Sequence, residues 1–117
     1  MTVQELKDPI NLGDVALAII SAKGDRGAFT DEITQSLLRL QQKLELEELD
    51  TRPGPTGTDS DRVVNIVAGF TVRDFVTDHS PYILTPEGDA WLKARLKESF
   101  DEQGLKRFWA LVKRSLR

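Results

Sequence analysis

The sequence contains no cysteine and only one histidine among its 117 residues. Without cysteine the chain cannot form disulfides, zinc–thiolate sites or iron–sulfur clusters, and it has no thiol nucleophile. The single histidine excludes a metal site built on a histidine pair. No apolar run approaches the roughly 20 residues that cross a bilayer, and residues 1–8 are polar without the pattern of a signal peptide. We therefore expect a cytoplasmic protein with no metal, no cofactor and no membrane contact.

Charge is unevenly distributed along a chain of otherwise ordinary composition. Hydrophobic residues make up 39% and charged residues 30%, with a net charge of −3, which is typical of one globular domain. Residues 1–90 carry 8 basic and 16 acidic side chains, a net charge of −8, whereas residues 91–117 carry 8 basic and 3 acidic, a net charge of +5. A basic end suits either a polyanion-binding tail or a solvated helix face.

Two helices are predicted in the first half of the chain. Asn11 followed by Asp14 is a capping-box pattern for a helix that runs to Lys23 and stops at a glycine turn. Thr30 is the predicted N-cap of a second helix that extends to about Leu49. Its apolar stripe consists of Ile33, Leu37, Leu40 and Leu44.

The middle of the chain predicts a loop and a short third helix. Residues 51–60 contain two prolines and two glycines, which exclude a regular element there. Asp59 or Asp61 is the predicted cap of the helix, which ends at Gly69. Its valine and isoleucine content leaves a strand as the alternative.

A β-hairpin is predicted after this helix, because the apolar period changes to two. Phe70, Val72 and Val76 alternate with polar residues as in a half-buried strand. Residues 82–84 form the predicted returning strand, and the turn between the strands places His79 on the surface.

Two amphipathic helices are predicted at the end of the chain. Thr85 is the expected N-cap of the first, with Pro86 at its first helical position. The last helix carries an apolar stripe that forms either a core or a dimer interface: Leu105, Phe108, Trp109, Val112 and Leu116. The predicted fold class is therefore mainly α with a small β-hairpin, that is, α+β.

One stretch of the chain resembles a known family. Tyr82-Ile83-Leu84-Thr85-Pro86-Glu87-Gly88 is similar to the Tyr-x-Leu-Thr-Pro-Glu-Gly junction of MarR-like and PadR-like winged helix-turn-helix regulators, where the second wing strand leads into the next helix. The order of predicted elements over residues 12–98 is similar to the same fold. The resemblance implies one winged-helix-like domain over residues 1–117, with its core at 10–98 and an added amphipathic helix at 99–117.

The resemblance also implies a function. It implies a transcriptional regulator that is a homodimer and contacts double-stranded DNA through its third helix and wing. The residues onto which these contacts carry over are Arg62, Asn65 and Arg73, all of which solvent exposure alone would also explain. The charge of the last helix adds four candidates for phosphate contact: Lys106, Arg107, Lys113 and Arg114.

Charge supports a second interpretation. From Thr30 to Arg62 the chain carries 4 basic and 8 acidic side chains, a net charge of −4. DNA binding takes much of its affinity from phosphate neutralisation, so an acidic helix-turn-helix surface suits a protein partner instead. On this hypothesis the chain is an adaptor, a subunit of a larger assembly or a phage-type inhibitor. We do not expect an enzyme, because no convergent set of titratable groups appears in the sequence.

Overall fold

The computed structural model describes residues 10–44, 46, 48–53 and 57–116. Over these residues the chain is mainly helical with one small antiparallel sheet, an α+β composition. The helices are α1 (Leu12–Lys23), α2 (Thr30–Leu44), α3 (Asp61–Val72), α4 (Pro86–Ser99) and α5 (Glu102–Ser115), and a 3₁₀ turn (Gly24–Arg26) follows α1. The strands are β1 (Arg52–Pro53) and β2 (Thr58–Asp59), with Arg52 opposite Asp59. None of the described helices is long and apolar enough to cross a membrane, and residues 1–8 lie outside the described part.

Helix α1 forms the centre of the core. Its side chains from Val15 to Ile20 are completely buried, and the four other α-helices all contact it. The predicted capping box is confirmed, since the Asp14 N–H donates to Asn11 Oδ1 at 2.9 Å and the Asn11 N–H donates to Asp14 Oδ2 at 3.0 Å. Asp14 also pairs with Arg95 of α4 at 3.3 Å, which accounts for a buried carboxylate.

Helix α2 begins and ends differently from the prediction. Thr30 is its first helical residue rather than its cap, because the carbonyl that accepts the first helical bond, from Ile33, belongs to Phe29. The Phe29 N–H in turn donates to Glu32 Oε1 at 3.0 Å. The predicted end at Leu49 was wrong, since the helix stops at Leu44. Beyond Leu44 the apolar stripe is interrupted, because the positions that would continue it, 47 and 48, are both glutamate.

The segment predicted as a loop contains the small sheet. Pro53 is tolerated in β1 because a two-stranded sheet leaves one side of each strand without a partner. The cap of α3 is Ser60, whose hydroxyl accepts the Val63 N–H, and not Asp59 or Asp61. Asp59 is buried instead, where it accepts hydrogen bonds from the Thr30 hydroxyl at 3.3 Å and the Ser60 N–H at 2.9 Å.

Helix α3 continues through residues predicted as a strand. It passes Gly69 and ends at Val72, so Phe70 and Val72 are helical. The stop comes at Asp74, which has a positive φ of 60°. The Phe75 N–H donates to the Phe70 carbonyl at 2.9 Å and the Asp74 N–H to the Thr71 carbonyl at 3.1 Å. This is a Schellman motif with aspartate in the position usually held by glycine, and the Phe70 and Phe75 rings supply its apolar contact.

The predicted hairpin is present in a reduced form. Val76 forms a single antiparallel bridge with Leu84, and Tyr82 forms a second one with Ala28. Residues 82–84 therefore lie between the segment before α2 and the segment after α3. The prediction for the next helix is confirmed, because the Thr85 hydroxyl accepts the Gly88 N–H at 3.1 Å and Pro86 occupies the first helical position.

Candidate nucleic-acid interface

Helix α3 turns one face inward and leaves the other uncovered. Val63, Val67 and Phe70 are buried, and the helix contacts α1 and α2. The opposite side carries residues that are all exposed: Arg62, Val64, Asn65, Ala68, Gly69 and Val72. We call these six residues the α3 outer face. Within the described part of the chain, no element covers them.

The α3 outer face combines two hydrogen-bonding side chains with small neighbours. Arginine can bond a guanine edge and asparagine an adenine edge with two hydrogen bonds each, so Arg62 and Asn65 have the chemistry of base readers. Ala68 and Gly69 follow one turn later, and no heavy atom lies within 4 Å of a Cβ built at Gly69. The helix backbone can therefore approach a groove closely in this region.

Arg73 is placed differently from the other two predicted readers. It is the C-cap residue of α3, and its guanidinium carbon lies 6.0 Å from the centroid of the Phe75 ring. That contact is at the outer limit of a cation–π interaction. Arg73 is exposed, and its head group lies beside the Phe75 ring, just beyond the end of α3.

The reduced hairpin, residues 76–84, adds no positive charge. The Thr77 N–H donates to the Ile83 carbonyl at 2.9 Å, which holds the two sides of the hairpin together. Its turn carries Asp78 and His79, both exposed, and residues 74–90 contain no lysine or arginine. No group of three histidine, aspartate or glutamate side chains in the described residues is arranged to hold a metal ion.

Acidic side chains balance the cations around α3. Asp61 pairs with Arg52 at 2.9 Å, with both side chains more than half exposed, so the pair contributes little to stability. Asp74 and Asp78, which follow α3 in the chain, are also exposed. The α3 outer face therefore offers hydrogen-bonding side chains and close approach, while the charges around it provide little attraction for an anion.

The basic candidates of the last helix lie on another surface. Lys106, Arg107, Lys113 and Arg114 are all exposed on α5. The other side of α5 packs on the chain's own core, where Phe108 and Val112 are completely buried and the remaining stripe residues are partly covered: Leu105, Trp109 and Leu116. The stripe is thus a core interface in this chain, and its burial needs no second copy.

The two groups of candidates occupy different ends of α2. The Thr30 hydroxyl at the start of α2 donates to Asp59, just before α3. The Arg39 guanidinium in the second half of α2 donates to the Ser115 carbonyl at the end of α5. The helix with Arg62 and Asn65 therefore starts beside the beginning of α2, whereas Arg114 of α5 lies beside its second half.

Two cations that were not predicted as site residues lie beside Arg114. Arg39 and Lys43 line the same groove as Arg114, between α2 and α5. Their spacing of four residues on one side of α2 is visible in the sequence. The proximity to Arg114 is not, because it depends on how α5 packs against α2.

Comparison with known proteins adds no assignment: the chain matches no family model, no curated protein and no solved structure.

Proposed function

We propose that this chain is a small winged-helix DNA-binding protein that acts as a transcriptional regulator, with α3 as the helix that enters the major groove. The order of elements supports this proposal. Helices α1, α2 and α3 precede a reduced hairpin, in which Leu84 bridges Val76 while Tyr82 bridges Ala28 before α2. A winged helix needs this arrangement to hold its third helix beside its wing.

The observation that carries the proposal is the α3 outer face. A groove-reading helix must be held firmly on its inner side and leave polar side chains and small residues on its outer side. Val63 and Val67 anchor the inner side, while Arg62 and Asn65 project from the first two turns of the outer side. Gly69 lets the backbone approach the base edges.

The test is selection from a pool of random duplex DNA at about 50 mM salt, where phosphate contacts are strongest. We expect the protein to enrich a preferred site. Arg62→Ala combined with Asn65→Ala should reduce the preference for that site over random DNA by about 10- to 100-fold, the discrimination that one or two double hydrogen bonds supply.

A matched control separates base reading from loss of polar surface. Lys97→Ala combined with Gln103→Ala removes one cation and one amide at exposed positions of α4 and α5, and it should leave the site preference unchanged. Absence of any duplex binding at about 50 mM salt would refute the proposal, since salt competition is weak under those conditions.

A protein partner is the second candidate, and one observation favours it. Val64 is 38% exposed and Val72 is 84% exposed, and with Ala68 they follow one side of α3 at intervals of four residues. An exposed apolar line of this kind is typical of protein interfaces. If the chain fails to bind DNA, light scattering should detect a homodimer that Val64→Ser combined with Val72→Ser dissociates. A concentration-independent monomer would exclude that homodimer.

A further inference from the structure

The second half of α2 and the end of α5 form a cationic groove. Arg39 and Lys43 of α2 and Arg114 of α5 line it together with Leu40 and Leu111, and its volume is about 250 Å³. We call the three cations the α2–α5 seam. Because all three are exposed, they face solvent around one depression.

The seam is held in place by hydrogen bonds to a single carbonyl group. The Ser115 carbonyl accepts a hydrogen bond from the Ser36 hydroxyl at 3.2 Å and another from the Arg39 guanidinium. Ser36 and Ser115 are both buried, so the two helices are fixed against each other here. A guanidinium has five N–H donors, and Arg39 retains donors beyond the one that Ser115 accepts.

The charge of the seam is not neutralised within the described part of the chain. Lys43 and Arg114 form no ion pair with any described residue. The described acidic residues that follow α2, Glu48 and Asp50, are exposed and also form none, while Glu45 and Glu47 lie outside the described residues. Three like charges around one groove repel each other, and a bound anion removes that repulsion.

The cations continue beyond the groove, which favours an extended anion over a single ion. Lys106, Arg107 and Lys113 are exposed along α5, and the distance from Lys106 to Arg114 along the helix axis is about 12 Å at 1.5 Å per residue. An extended track of this kind follows a polymer of phosphates.

We propose that the α2–α5 seam binds the phosphate backbone of duplex DNA as a second contact, separate from the α3 outer face. The choice of DNA as the polyanion rests on the proposed function. The separation follows from α2, which extends for about 20 Å from Thr30, beside the start of α3, to Lys43 in the seam. The seam supplies the phosphate attraction that the surroundings of α3 lack.

The test removes two charges of the seam and leaves Arg39 in place, because Arg39 holds the end of α5. Lys43→Gln combined with Arg114→Gln is compared with Lys93→Gln combined with Lys97→Gln, which removes the same charge from exposed positions of α4. Affinity for a random duplex of about 30 base pairs is measured by fluorescence anisotropy between about 50 and 200 mM salt.

Each phosphate contact contributes about 0.9 to the slope of log affinity against log salt. The slope for Lys43→Gln combined with Arg114→Gln, the seam variant, should therefore be smaller than the wild-type slope by up to about 1.8. Between about 50 and 200 mM salt, the fold loss of affinity of the seam variant should be about one tenth of the wild-type fold loss. The α4 variant should retain the wild-type slope. Equal slopes for the two variants would overturn the proposal, and matching thermal transitions would show that both variants are folded.

Further measurements distinguish an error in the seam proposal from an error in the proposed function. If Arg62→Ala combined with Asn65→Ala binds and discriminates like the wild type while the seam variant loses slope, the seam proposal holds and α3 is not the reader. If the seam variant loses affinity for poly-L-glutamate as much as for DNA, the seam recognises charge alone and phosphate recognition is refuted. If the wild type binds no duplex at about 50 mM salt, both proposals are overturned.

Discussion

Gly88 is the position where one added methyl group should damage this fold most clearly. A Cβ built there lies 2.1 Å from the Phe75 carbonyl oxygen and 2.9 Å from Leu84 Cδ1, and real Cβ contacts below 3.0 Å essentially do not occur. The carbonyl is not free to move away, because it accepts the Thr85 N–H at 2.9 Å. The Phe75 ring also contacts Trp91, with centroids 5.2 Å apart.

Two effects of Gly88→Ala oppose each other. Alanine in a helix gains roughly 0.5–1 kcal/mol over glycine. Overpacking costs about 1–3 kcal/mol, and a clash with backbone lies at the upper end because a flexible side chain cannot absorb it. We therefore expect a net loss of about 2 kcal/mol in the free energy of unfolding.

Urea denaturation followed by circular dichroism measures this change. The midpoint should fall for Gly88→Ala while the dependence on urea concentration stays the same. Gly69→Ala is the matched control, because Gly69 is also helical but has no neighbouring atom within 4 Å, and its midpoint should rise by the equivalent of roughly 0.5–1 kcal/mol. Equal midpoints for Gly88→Ala and the wild type would refute the close approach of α4 to Phe75.

Other side chains make further predictions. Phe108→Ala empties a completely buried site and should lower the free energy of unfolding by about 3–5 kcal/mol. Val72→Ala, at an 84% exposed position, should change the free energy of unfolding by less than about 0.5 kcal/mol. Similar shifts of the thermal midpoint for the two variants would contradict the placement of α5. Burial raises the pKa of Glu32, but the Lys23 ammonium and the Phe29 N–H lower it more, so the folded pKa lies below 4.5. A lowered folded pKa contributes stability at neutral pH that is lost as the pH falls through that pKa. The stability difference between wild type and Glu32→Gln should therefore be largest near pH 7 and shrink below about pH 4.5 in urea titrations, and a difference that does not change with pH would contradict the role of this pair.

Local signals predicted the starts of α1 and α4 correctly and placed the starts of α2 and α3 within one residue. The capping box at Asn11 and the Thr85-Pro86 start are formed by residues no more than three positions apart. Such interactions depend on the chain nearby and little on the rest of the fold, so they can be predicted from the sequence. The cap of α3 was missed by one residue because Asp59, an equally good cap, is engaged by Thr30 from another helix.

The end of α3 was mispredicted for a different reason. Gly69 is the residue type most often found at a helix stop, but the helix continues because Phe70 reaches the core one turn after Val67. The chain stops at Asp74, where an uncommon positive φ is stabilised by the contact between Phe70 and Phe75. A period of two over a few residues cannot distinguish this arrangement from a strand.

The candidate site was only partly accessible from the sequence. Arg62 and Asn65 could be selected because the resemblance to winged-helix regulators carries its DNA contacts onto them. The α2–α5 seam could not, since Arg39 and the Ser115 carbonyl that it bonds are 76 positions apart in the chain.

The sequence by itself determined where α1 and α4 begin, which residues of each helix form an apolar stripe, and that negative charge dominates the body and positive charge the end. Only the tertiary structure decided that the apolar stripe of α5 covers the chain's own core and that cations from the acidic body join those of the basic end. The physical reason is the distance along the chain between the residues that interact. Caps and amphipathic periods are set by neighbours within about four residues, whereas the pairing of faces is set by burial of apolar surface from distant parts of the chain.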